Sequence, residues 1–282
     1  MRSDFRHPAF LIALLLFAAI VSIFLGRFPA PYWMPMSRLL DDPLAQQLVL
    51  NLRLPRILAA ILLGAALAGG GAVMQMIFRN PLVESGFLGV SQGAAFGACL
   101  AIVFLGSSPL LVQGCAALCA FIGLLLSYAL ARRLHYGGWI LRLLLSGIAV
   151  SAVFSAGLGL LKCAADPLRQ LPEITFWLLG GLWSVTWRDV LRMLPVLVPA
   201  LAVIWLMRWR VSLLSLSDET AFSLGVAAGR ERALLLVAAV TATAAVVAVA
   251  GVVGWIGLLV PHVARRIVGT DARKSVPTSM LL

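Results

Sequence analysis

The side chains that could perform chemistry are few in this sequence and stand far apart. The three histidines are at positions 7, 135 and 262, and of the four cysteines only Cys115 and Cys119 share a helical face, four residues apart. A structural zinc site needs four such ligands close together. The spacing therefore predicts no metal site, and we expect the cysteines to pack as small apolar side chains.

Motifs for hydrolysis and for phosphate binding are also missing. The apolar runs contain no His-Glu-x-x-His, no pair of acids and no serine with a nearby base, and the sequence lacks the Gly-x-x-x-x-Gly-Lys-Ser/Thr loop. We therefore predict that the chain is not an enzyme, holds no cofactor and hydrolyses no ATP itself. Glu84 and Asp166 fall at the ends of apolar runs, which argues against a proton relay through the membrane.

The composition predicts an all-α, polytopic integral membrane protein. Of 282 residues, 62% are hydrophobic and only 12% are charged, and the mean hydropathy is +1.02. Soluble domains carry about 25% charged residues. The excess of 22 basic over 11 acidic residues gives +11, but no basic run with interleaved aromatic residues suggests nucleic-acid binding.

Uncharged runs predict about eight transmembrane helices, since one crossing needs about 20 apolar residues. The long run 85–131 must contain two helices, separated by the turn-forming residues 106–109. Three glycines interrupt the run 233–264, which predicts two crossings, or one crossing and a broken helix. The predicted spans lie in residues 8–26, 57–78, 85–131, 143–161, 193–207 and 233–264.

Two further segments are expected not to cross. Residues 174–187 contain three tryptophans, which suits a short re-entrant or interfacial helix. Residues 211–229 are more polar, and Ser215-x-x-Asp218 followed by Gly225 predicts a short helix against the membrane. A cytoplasmic N-terminus would place most lysines and arginines on the cytoplasmic side, as the positive-inside rule requires.

Ordered motifs from residue 50 to the end resemble one family of transporters. The motifs are Arg53-Leu-Pro-Arg56, residues 64–75, Arg79-Asn-Pro-Leu82, residues 88–94, residues 144–147, residues 176–181, Trp187-Arg188 and residues 257–265. Together they are similar to the FecCD-type permeases of ATP-driven importers for iron chelates, haem and cobalamin.

The resemblance implies a permease subunit in a bacterial inner membrane, with ATP hydrolysed by separate ATP-binding cassette subunits. It also implies a second permease subunit, identical or paralogous, and a periplasmic substrate-binding protein. The expected substrate is an iron chelate such as a siderophore or haem, and cobalamin or an oxyanion is the alternative. A carrier driven by an ion gradient is the alternative from another class.

The resemblance also assigns roles to residues. Arg53 and Arg56 are expected to dock the binding protein, unless they only anchor a helix among lipid headgroups. The segment from Ser215 to Gly225 is expected to couple to the ATPase, unless it is only a solvated helix. Its candidate contact residues are Leu216, Asp218, Glu219, Phe222, Leu224 and Gly225.

Two other groups of residues are candidates for the gate and the pathway. The segment Gly137, Gly138, Trp139 and Ile140 resembles the cytoplasmic gate region, with bulkier residues than relatives usually have. Gly89, Gly93 and Gly97 form a small-residue helix face that could line a pathway or pack against another helix.

The resemblance makes residues 1–282 a single permease domain. Family members continue beyond the stretch that matches residues 270–282 with two more membrane helices. We therefore expect about eight of ten family helices here, in a fragment, a truncated product or a shortened gene model.

Overall fold

The computed structural model describes residues 6–26, 32–216, 220, 223, 225 and 228–282, and those residues are helical for most of their length. The helices are α1 Arg6–Phe24, α2 Met36–Asp41, α3 Pro43–Leu48, α4 Leu54–Ile77, α5 Val90–Leu100, α6 Pro109–Arg133, α7 Trp139–Ala164, α8 Gln170–Leu179, α9 Trp187–Leu206, α10 Arg208–Leu214, α11 Ala228–Ala250, α12 Ile256–Val268 and α13 Ala272–Leu281. Single π-helical turns, Val49–Arg53 and Ala101–Leu105, join α3 to α4 and extend α5.

Five helices in the described part are long and apolar enough to cross a membrane, which confirms the polytopic all-α fold. They are Pro43–Ile77, Pro109–Arg133, Trp139–Ala164, Trp187–Leu206 and Gly229–Ala250. The other three of the eight predicted spans contain shorter helices. Ala9–Phe24 and Val90–Leu105 are apolar but short, and α12 has only 13 residues.

Local chemistry explains where α6 and α9 begin. Gly106, with φ of 108°, ends the preceding π turn, and the Ser108 hydroxyl then accepts a hydrogen bond from the N–H of Leu111, with Pro109 in the first turn. At α9 the Asp189 carboxylate accepts from the backbone N–H of Thr186 at 3.0 Å and from its hydroxyl at 2.6 Å. The start of α6 follows the turn expected at residues 106–109, and α9 extends the uncharged run 193–207 toward its N-terminus.

Two predicted elements differ from those observed. α5 begins at Val90 rather than at Ser85, because residues 78–89 form successive turns that fold back along α4. The helix expected over 174–187 runs only from Gln170 to Leu179, because Gly180 adopts φ of 65° and ends it.

The centre of the bundle is α11, which packs against α4, α5, α6 and α9. Its residues between 235 and 250 are almost entirely Ala, Val and Thr, and most of them are buried. Small side chains let four neighbouring helices approach one axis closely, which is the usual way helices associate where no water is available to drive their packing.

The glycine face of α5 is a second close contact. Gly93 and Gly97 lie against the backbone of α6, where a side chain would overlap the carbonyl oxygens of Cys119 and Cys115. Gly89 lies one further turn along, against Gly123. All three glycines are buried, so the packing alternative accounts for them, and the pathway role stays a prediction.

Replacing Gly97 with alanine tests this contact. We expect Gly97→Ala to destabilise the protein by about 1–3 kcal/mol, because the added methyl group forces α5 and α6 apart. Thermal unfolding of the purified protein in detergent measures the change. Gly114→Ala is the matched control, because no atom lies within 4 Å of its methyl position. Equal melting temperatures for the two variants would contradict the assignment.

Candidate functional site

The functional candidates fall at the two ends of the bundle. The start of α4 carries Arg53 and Arg56, and we call this the Arg53 end. The opposite end, where α4 finishes, carries Arg79 and the start of the segment after α10, and we call it the Arg79 end.

At the Arg53 end, both predicted docking arginines bind the chain's own backbone. Arg53 donates to the carbonyl of Ile23 at the end of α1, and Arg56 donates to the carbonyl of Trp183. The indole N–H of Trp187 donates to the carbonyl of Leu50 at 2.7 Å. The two arginines are half-buried, and with Trp187 they hold α1 and residues 183–187 against the start of α4.

A groove lies beside this contact, between the first turns of α6 and α9. It has a volume of about 640 Å³, and Asn51, Ser108, Arg188 and Arg192 are among its lining residues. We call it the α6–α9 groove. Between the two arginines, Asp189 is buried and accepts from the Gln113 side-chain amide at 2.8 Å. Its carboxylate is therefore used inside the protein, while the exposed side of the groove is basic.

A neighbouring cavity of about 390 Å³ is mainly aromatic and apolar. Phe176, Trp177 and Trp183 line it together with Glu173, whose carboxylate accepts a hydrogen bond from Ser107 at 2.6 Å. The predicted tryptophan-rich segment therefore does lie at one end of the bundle, although only part of it is helical.

Between α11 and α12 the chain is not helical. Residues 251–255 form a break that runs from the end of α11 back along α4. α12 then starts beside the middle of α4, where Gly257 lies against Gly71 and against the carbonyl of Leu67. Trp255 has φ of 73°, an uncommon conformation for a bulky side chain. Backbone of this kind is tolerated at membrane depth only where its polar groups find partners or face a water-filled space.

Gln75 provides partners for the backbone where α12 begins. Its side-chain N–H group faces the carbonyls of Gly257 and Leu258 at 3.3 and 3.1 Å, and its side-chain oxygen accepts from the guanidinium of Arg265. Gln75 is buried, so one amide joins α4 to both the first and the last turn of α12. All four residues lie within the recognised motifs, but Gln75 and Arg265 are 190 positions apart, so the sequence gives no sign that they meet.

The turns after α4 make similar contacts. The carboxylate of Glu84 lies beside Gly257 and faces the backbone N–H of Trp255. The hydroxyls of Ser85 and Thr243 lie 2.6 Å apart, and both residues are buried. The segment 78–89 thus meets the α11–α12 break through Glu84 and meets α11 through Ser85.

At the Arg79 end, arginines hold the segment expected to couple to the ATPase. Arg79 donates to the carbonyl of Leu216, and Arg232 donates to the carbonyl of Leu214 at 3.2 Å. Arg210 forms an ion pair with Glu231 at the start of α11. Leu216 and Gly225 are exposed. The other predicted coupling residues, Asp218, Glu219, Phe222 and Leu224, lie outside the described residues.

The predicted gate segment forms the turn into α7. Gly137 adopts φ of 69°, and Gly138 precedes the first turn of the helix. Trp139 and Ile140 are half-buried and pack against the main apolar core. Their bulk is therefore directed inward in this conformation, and a role in gating stays a prediction.

Comparison with known proteins finds relatives that match nearly the whole chain. The FecCD transport family matches residues 14–282. The chain is 35% identical to the molybdate import system permease protein MolB of Haemophilus influenzae, over 96% of this chain and 82% of that protein. It is 37% identical to the hemin transport system permease protein HmuU of Yersinia pestis, over 96% of this chain and 82% of that protein.

Two further matches agree. A probable iron chelatin transport system permease protein of Helicobacter pylori, strain 26695, is 40% identical over 83% of this chain and 70% of that protein. A solved structure assigned to a metal-chelate type ABC transporter in an inward-facing conformation superposes with a TM-score of 0.88 and 35% identity. The superposition covers 97% of this chain and 85% of that one.

Replacing Gln75 tests the contact between α4 and α12. We expect Gln75→Leu to destabilise the protein by about 1–3 kcal/mol, because buried carbonyls and the Arg265 guanidinium lose a partner. The melting temperature in detergent measures the loss. Met76→Leu, at the half-buried neighbouring position, should leave the melting temperature nearly unchanged. A Gln75→Leu variant as stable as this control would show that the contacts do not stabilise the break.

Proposed function

Since the chain belongs to the FecCD transport family, we propose that it is the membrane-spanning subunit of a binding-protein-dependent, ATP-driven importer. The observation that carries the proposal is the superposition of 97% of the chain on an ABC transporter at 35% identity. The described spans also lack the paired acidic residues that a proton-driven carrier would use. ATP hydrolysis then belongs to partner subunits.

The proposed substrate is an iron chelate such as a siderophore or haem. Relatives named for an iron chelatin, for hemin and for iron citrate support this substrate class. An oxyanion is the second candidate, because the relative named for molybdate matches 96% of the chain at 35% identity. Either substrate would cross a passage with few charged groups, which favours weak binding along the way.

We propose that the Arg79 end faces the cytoplasm and that the Arg53 end faces the periplasm of a bacterial inner membrane. Most basic residues then lie on the cytoplasmic side, at the ends of α6 and α12 and at both ends of the segment joining α9 to α11. In this orientation the binding protein meets the Arg53 end, where Arg53 and Arg56 are proposed to receive it, and a second permease subunit completes the pathway.

The proposed coupling runs through the segment after α10. Arg79 and Arg232 hold the backbone at Leu216 and Leu214, so a force on this segment reaches the ends of α4 and α11 directly. Nucleotide can drive transport only if it binds the inward-open and outward-open arrangements with different affinity. We propose that contact between this segment and the ATPase supplies that difference.

Reconstituted uptake tests the function. We expect proteoliposomes that contain the permease and its ATPase subunits to accumulate ferric chelate when the loaded binding protein is supplied on the side of the Arg53 end. Accumulation should require ATP on the opposite side, where the ATPase subunits lie. Omitting the binding protein, or using a non-hydrolysable ATP analogue, should abolish accumulation. Uptake driven by a proton or sodium gradient without ATP would refute the importer, and accumulation of molybdate instead would select the second substrate.

Gly225 provides a test of the coupling segment. Its φ of 75° lies in the left-handed region, and no atom of the described residues lies within 4 Å of its Cβ position, so a side chain is disfavoured by backbone conformation. We expect Gly225→Leu to reduce ATP-driven uptake at least about tenfold while ATP hydrolysis continues, since about 1–2 kcal/mol of left-handed strain shifts the segment. Gly229→Leu, also with open space at Cβ, should retain coupled uptake. Normal coupling in Gly225→Leu would contradict the proposal.

A further inference from the structure

We propose that Arg188 and Arg192 form a second docking position on the Arg53 end, which receives acidic side chains of the soluble substrate-binding protein. The inference rests on the proposed function, because it requires that this end faces the binding protein. The family resemblance singled out Arg53 and Arg56 for docking. The inference adds two further arginines, to which the resemblance assigns no role.

The two side chains are arranged as a pair. Arg188 and Arg192 are four residues apart on α9, so they project from one face of the helix. Both are exposed, and both line the α6–α9 groove. The groove is thus a concave surface with two positive charges one helical turn apart, and a guanidinium binds a carboxylate through two parallel hydrogen bonds.

The two guanidinium groups stay available to a partner, although the charge of Arg192 also acts on the buried Asp189 carboxylate within the described part of the chain. Neither guanidinium donates a hydrogen bond or forms an ion pair there. Asp189 is the nearest acidic residue in sequence, and its carboxylate accepts from Thr186 and Gln113 instead. Arg53 and Arg56 differ, because both donate to carbonyls of their own chain.

The position of Arg188 is unfavourable for the helix itself. It is the second residue of α9, where the aligned peptide dipoles already give the helix end a partial positive charge. A basic side chain there weakens the helix, whereas the summed positive potential in the groove attracts an anionic partner. A basic residue that weakens its own helix is expected at a position where its charge serves to bind a partner.

The groove is continuous with the surface that carries Arg53. Asn51 belongs to the same π turn as Arg53 and also lines the groove. Trp187 binds the carbonyl of Leu50 and stands directly before Arg188. One docking protein can therefore contact the start of α4 and the start of α9 together, and opposite charges across such a surface chiefly accelerate association.

The test measures binding of the loaded substrate-binding protein to the complete transporter in nanodiscs of zwitterionic lipid. We expect Arg188→Glu with Arg192→Glu to lower the association rate constant about tenfold and to weaken its dependence on salt. Arg169→Glu is the matched control, because Arg169 is exposed at the same end but does not line the groove. It should change the rate less than twofold.

Further variants keep the outcome interpretable. Arg188→Gln with Arg192→Gln removes both charges without reversing them and should give an intermediate rate at an unchanged melting temperature. Substituting lysine for acidic residues on the binding protein should restore association of the glutamate variant. Unchanged association in the glutamate variant would overturn the inference, and so would a defect that appears only in nanodiscs with anionic lipid, because the arginines would then bind headgroups. Failure of the unaltered transporter to bind any loaded binding protein would instead refute the proposed function.

Discussion

The structure depends on one constraint, that backbone polar groups at membrane depth must be satisfied without bulk water. Most of the described chain meets it with α-helices, but residues 78–89 and the α11–α12 break do not. Both irregular segments lie against α4. Gln75 of α4 and Glu84 of the first segment supply partners for backbone groups at the α11–α12 break and at the start of α12. Contacts made by a few polar side chains therefore hold the backbone where α12 begins.

Close helix packing follows from the same environment. Because lipid tails are as apolar as leucine, helices gain little from the hydrophobic effect between them and must instead fit closely. The Ala and Val surface of α11 and the glycine face of α5 provide that fit, with backbones in direct contact at Gly97 and Cys115. Such contacts do not deform gradually, so the helix bundle is expected to move as a rigid unit.

Arginines have different roles at the two ends of the bundle. Those that donate to backbone carbonyls, such as Arg56 and Arg79, fix loops to helix ends. Those that remain exposed in the α6–α9 groove, Arg188 and Arg192, add positive potential for a partner. The docking role first expected for Arg53 and Arg56 therefore needs to be considered together with their structural contacts, which any charge reversal would also remove.

The sequence alone determined the membrane class, the all-α fold and the positions of most helices, because hydropathy and turn-forming residues such as 106–109 are local properties. It also determined the family, since the order and spacing of the motifs can be read from the sequence without knowing any contacts. Only the tertiary structure decided that the α5 glycines pack on α6, that α8 ends at Gly180 and that Gln75 meets Arg265. These features depend on residues distant in sequence, whose approach is set by packing and by the need to pair buried polar groups.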